Sequence, residues 1–116
     1  YLDKVNMKNN MKNWDNKTTE DLFRSILKLE NVKETKRFFR DLLTEEENIE
    51  FGKRWQAARM LNENISYKKI VKKTGLSSRT VARISKWLNQ GMGGYKLMLK
   101  KLNHHHNLSP SGKGLR

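Results

Sequence analysis

An all-α fold is the prediction, and three observations carry it. The chain of 116 residues has a single proline, Pro110, so almost nothing interrupts helical hydrogen bonding. No stretch alternates β-branched with polar residues, the pattern a half-buried strand would need. Apolar residues instead recur three and four apart, with Ser, Thr or Asn ahead of such runs, where N-caps belong. A hydrophobic fraction of 35% beside 32% charged residues makes a thin core, which small helical chains often complete with a second copy. The absence of cysteine excludes disulfides and thiolate metal sites. No apolar run reaches the ~20 residues that span a bilayer, and the first residues lack a signal-peptide apolar stretch, so a cytoplasmic protein with no membrane partner is expected.

The elements follow in order. Residues 1–16 are polar and weakly patterned, expected to form a flexible arm with Trp14 docking near its end. Thr18 or Thr19 can cap a first helix with Leu22, Phe23, Ile26, Leu27 and Leu29 on one broad face. Asn31 can cap a second, carrying Val32, Thr35, Phe38, Phe39, Leu42 and Leu43. Thr44 followed by Glu47 reads as a capping box opening a long third helix through Ile49, Phe51, Trp55, Ala58 and Leu61 to about Glu63. Phe38, Phe39, Phe51 and Trp55 are read as core or dimer-contact residues.

Ser66 can cap a short fourth helix holding Ile70 and Val71, closed by Gly75, a residue suited to a left-handed turn position. Ser77 can cap a fifth whose inward residues are Val81, Ile84 and Leu88. Two short helices around a glycine turn make a helix-turn-helix over 66–89. Gly91, Gly93 and Gly94 give the hinge by which a sixth helix folds back.

Charge singles out this half of the chain. Residues 1–63 carry 13 Lys/Arg against 12 Asp/Glu, whereas residues 64–116 carry 12 Lys/Arg and no acidic residue. Such asymmetry is the electrostatic footprint of a polyanion partner. Facing out from the fifth helix are Ser77, Ser78, Arg79, Ala82, Arg83 and Lys86. Short residues and an arginine at the N-terminal end suit close approach to a major groove. Ser77, Ser78, Arg79 and Ala82 are expected at base edges, with Thr80, Lys68, Lys72 and Lys86 on phosphates.

The stretches "DLFRSILKL", "RFFRDLLTEEE", "GKRWQAARML", "ISYKKIVKKTGLSSRTVARISKWLN" and "GMGGYKLML" together resemble the tryptophan-repressor superfamily, most closely its YerC/YecD-type branch. The resemblance implies a six-helix Trp-repressor-like fold over 17–103, an intertwined homodimer, and a sequence-specific regulator of double-stranded DNA, a repressor on a near-palindromic operator. It also sets Arg54 and Arg83 at the two arginine positions that bracket the tryptophan corepressor in that family, and Thr44 at a pocket-lining position. Ile84 stands where the family repressor has a glycine, and Trp87 where it has a serine. Trp55 likewise replaces a smaller aliphatic residue. The expectation is that this bulk fills the effector pocket, and that no small-molecule corepressor is needed.

The alternative from the residues alone is a non-enzymatic basic module binding RNA or an acidic protein. RNA readers offer exposed aromatics for stacking, and beyond residue 63 the chain has only Tyr67, Trp87 and Tyr95. The residues 104–116 form an expected flexible basic tail. Its His104, His105 and His106 are adjacent and have no carboxylate or thiolate nearby, so no metal is expected. No cofactor is expected either. With no other histidine, no cysteine and no strand before the glycine cluster, the chain is not expected to be an enzyme.

Overall fold

A computed structural model describes residues 13–108 of the chain. Among them are six helices and no strand: α1 (Lys17–Ile26), α2 (Val32–Leu42), α3 (Glu45–Asn62), α4 (Tyr67–Thr74), α5 (Ser78–Gln90) and α6 (Gly94–Leu108). None of the helices described is long and apolar enough to cross a membrane. The tail residues from 109 onward, the side chains of His104, His105 and His106, and residues 1–12 of the arm lie outside the described residues.

The chain divides into two compact units, Tyr1–Thr44 and Glu45–Arg116. In the first unit, α1 is capped by Asn16 rather than by Thr18 or Thr19. The Asn16 side chain accepts from the Thr19 amide at 3.0 Å, and the Thr19 hydroxyl accepts from the Asn16 amide at 3.0 Å. Thr19 is therefore the third-residue partner of a capping box, not its cap. Trp14 meets Phe23 edge-to-face, with ring centroids 6.4 Å apart. For α2 the cap is Asn31, which accepts from the Glu34 amide at 2.8 Å, while the Glu34 carboxylate takes the Glu30 amide at 3.0 Å. Neither α1 nor α2 contains a buried residue.

The second unit holds the core. α3 contributes Ala57 and Ala58, whose small side chains let α4 and α5 approach closely, and both helices pack on it. Ile70, Leu76, Val81 and Ile84 complete the buried cluster. α3 ends in a Schellman turn. Asn64 adopts φ 63°, its amide donates to Leu61 at 3.0 Å, and the Ile65 amide donates to Met60 at 3.0 Å. α5 stops at Gly91, whose amide donates to the Trp87 carbonyl at 2.9 Å. A Cβ at Gly91 would collide with that same carbonyl oxygen. Gly93, at φ 82°, then turns the chain into α6, where Tyr95 stacks on Trp55 at 6.2 Å.

Candidate nucleic-acid interface

The geometry of the helix-turn-helix comes from short-range chemistry. The Ser66 hydroxyl caps α4 by accepting from the Lys69 amide at 3.3 Å. Gly75 closes α4 in the left-handed region at φ 79°, its amide donating to Val71 at 2.9 Å. A side chain there would be strained, which is why glycine occupies the position. Ser77 opens α5, its hydroxyl accepting from the Thr80 amide at 3.1 Å and donating to the Thr80 hydroxyl at 3.0 Å.

Thr74 locks the turn from inside. It is 5% exposed. Its hydroxyl donates to the Ile70 carbonyl at 2.8 Å and accepts from the Leu76 amide at 3.2 Å. Valine at position 74 would keep the shape and leave the Leu76 amide buried without an acceptor. Thr74→Val is expected to cost about 1–3 kcal/mol in a urea unfolding series, and Thr74→Ser much less. Equal stability of all three proteins would contradict this role for the hydroxyl.

With Val81, Ile84 and Leu88 buried, the opposite side of α5 carries Arg79, Ala82, Arg83 and Lys86 at i, i+3, i+4 and i+7. All four are exposed, as are Ser77, Ser78, Lys68 and Lys72. Thr80 is half-buried, and its hydroxyl is already paired with Ser77. The Ser77 hydroxyl is likewise spent on the cap and on Thr80, so Ser78 is the free hydroxyl of the pair. No ion pair among the described residues involves Lys68, Lys72, Arg79, Arg83 or Lys86, whereas Lys17, Arg24 and Arg54 each meet a carboxylate on their own helix. The first turn of α5 has no acidic residue either. The result is an uncompensated positive face at a helix N-terminus.

The four residues assigned to an effector pocket are differently placed. Thr44 is the last residue of the first unit. Arg54 is exposed, its Nε 3.4 Å from Glu50 and its guanidinium 5.7 Å from the Phe51 ring centroid. Ile84 is 2% exposed and belongs to the core. Trp87 departs from the expectation of a space-filling side chain: it is 50% exposed, with the Lys86 ammonium 6.0 Å from its ring. It lines an open apolar groove of about 500 Å³ with Trp55, Tyr95, Met92 and Met98. The reason is its angle on the helix, off the Val81–Ile84–Leu88 stripe. Tyr67 is half exposed too, so aromatic surface is not lacking beside the basic face.

One cation beside the motif comes from outside it. Lys53, on α3, holds its Nζ 3.7 Å from the point a Cβ on Gly75 would occupy. Nothing in its sequence neighbourhood signals this, because the approach depends on how α4 packs against α3.

The family model described as Trp repressor protein matches residues 17–103. The uncharacterized protein YerC of Bacillus subtilis is 40% identical over 86 residues, covering 74% of this chain and 83% of that protein. The crystal structure of a TrpR-like protein from Eubacterium eligens is similar at a TM-score of 0.76 and 34% identity, covering 79% of this chain and 95% of that one. A second solved structure, from Staphylococcus aureus, gives a TM-score of 0.75 at 31% identity, with 80% and 93% covered.

Proposed function

The chain belongs to the Trp repressor family, and from that membership we propose a sequence-specific regulator of double-stranded DNA that acts as a homodimer and represses. The observation that carries the reading is the outward stripe Arg79, Ala82, Arg83 and Lys86 on α5, free of carboxylate partners. Such a face has its charge satisfied by phosphates and its arginine free to read a base edge. A DNA-reading role belongs in the cytoplasm of a bacterial cell, and none of these groups is arranged for catalysis.

Duplex binding in a gel shift, resisted by random DNA and by single-stranded RNA competitor, is the expected result. Because Tyr67 and Trp87 offer stacking surface, stronger competition by RNA than by random duplex would reverse the reading. Residue roles separate in the same assay. Arg79→Ala is expected to cost about 1–3 kcal/mol on the cognate site and relax one position, whereas Lys72→Ala weakens all sequences alike. Equal losses on cognate and random DNA for both variants would contradict the assignment.

Support for the dimer is the apolar surface left uncovered in one chain. Leu27 is 81% and Val32 70% exposed, and neither α1 nor α2 has a fully buried residue. Water-exposed apolar faces of this extent favour a second copy. A two-fold dimer sets its reading helices about 34–36 Å apart, so the operator is a near-palindrome. That docking geometry is the general one for helix-turn-helix dimers, the Trp repressor included. Light scattering at micromolar concentration should give twice the 13.7 kDa chain mass; the mass of one chain would overturn this.

The regulator binds its operator without tryptophan. Ile84 fills core volume where the family repressor leaves room for the indole ring. Calorimetry with L-tryptophan should show no micromolar binding. A tenfold gain in operator affinity on adding it, about 1.4 kcal/mol, would refute this.

A further inference from the structure

We propose that Lys53 is a phosphate-contacting residue of the DNA interface, contributed by α3 from outside the helix-turn-helix; the proposal rests on the DNA-binding reading above. Three observations support it. The Lys53 Nζ stands against the turn, 3.7 Å from where a Gly75 Cβ would lie, two residues before the cap of the reading helix. Gly75 has no side chain to cover that ammonium.

The second observation is charge. Lys53 is half-buried, and no carboxylate pairs with it among the described residues. Glu50, one helical turn earlier, is engaged by Arg54. From residue 64 onward the chain has no acidic residue to offer.

The third is the company it keeps. Lys72 and Lys73 occupy the last turn of α4, and α5 begins just beyond the turn with no acid in its first turn. The negative end of α4 offsets only about half a charge. The remaining cations leave a positive potential at the turn, one that favours an external anion. Beside a face that reads DNA, that anion is a backbone phosphate, and a compact ammonium suits it as a point charge.

The competing role is structural, with the ammonium merely stapling the end of α4. Lys53→Met in the full-length chain separates the two, since it keeps an unbranched apolar stem and removes the charge. Affinity is measured on cognate and random duplexes over a salt series, with thermal unfolding alongside. Both duplexes should lose affinity by the same factor, about eightfold per protomer near 0.1 M salt. The slope of log affinity against log salt should become shallower by about 0.9 for each phosphate no longer neutralised. Lys53→Arg should retain the slope. A lowered unfolding temperature with an unchanged slope would assign Lys53 to the staple and overturn the proposal, as would no change in either. Wild-type protein that binds no duplex at all would remove the functional reading itself, so the two failures are distinguishable. Lys53→Gln gives the same comparison should the methionine variant fold poorly.

Discussion

Replacing Ile70 by alanine is expected to remove about 2–5 kcal/mol of stability, a large share of the roughly 5–15 kcal/mol of a small domain. Ile70 and Val81 are the largest side chains with no exposed surface. The rest of the buried cluster is Ala57, Ala58, Leu76 and Ile84, with Trp55, Met60, Leu61, Ile65, Val71 and Tyr95 packed against it. Close-packed side chains of this kind relax only partly into a cavity at position 70. Urea unfolding reads the change as a lower midpoint at an unchanged slope. Because Ile70 joins α4 to α3 and α5, duplex affinity should fall with it. A loss below about 1 kcal/mol would mean that the core relaxes, contrary to close packing. If the protein is dimeric, the midpoint of the wild type also rises with protein concentration.

The parts legible in the sequence are those fixed by neighbours a few residues apart. Asn31, Ser66 and Ser77 are readable as caps because a short polar side chain can reach an amide two or three residues on. Gly75 is readable as a turn because few other residues tolerate its backbone angle. The Trp-repressor-like, all-α fold follows from the same signals combined with the spacing of apolar positions. Asn16 escapes a sequence reading because Asn16, Thr18 and Thr19 are all short polar side chains able to cap a helix, and the fold decides which of them reaches the amide. The long third helix ends at Asn62, one residue before expected, because Asn64 supplies the left-handed position of its Schellman turn.

What the sequence hides depends on packing between elements. The volume of Trp87 suggests a space-filling side chain. Its position three residues after Ile84 and one before Leu88 sets it beside the buried stripe, where it remains half exposed. Volume alone does not bury a side chain; its angle on the helix does. Thr74 reads as an unremarkable end to α4, yet its two hydrogen bonds join the helix to the turn. Lys53 is a lysine among many in the sequence, and only the fold brings it to Gly75.

Raising monovalent salt from about 50 to 200 mM is expected to weaken duplex binding by about 10³–10⁵. The size follows from the number of cations on the interface. In the proposed interface each protomer brings Lys68, Lys72 and Lys86 to phosphates, with Lys53 and Arg83 as further cations. Two protomers of the proposed dimer on one site would then neutralise roughly 6–10 phosphates, each releasing a condensed counterion. No acidic residue in the second half of the chain offsets this term, so it is not diluted by like-charge repulsion from the protein. Base contacts of the kind proposed for Arg79 change little with salt, and the ratio of cognate to random affinity should therefore hold while both fall. Fluorescence anisotropy on a labelled duplex across that range measures both quantities. A slope shallower than about −3 would mean that the basic face of α4 and α5 is not what meets the DNA, because so few released ions cannot come from two such faces.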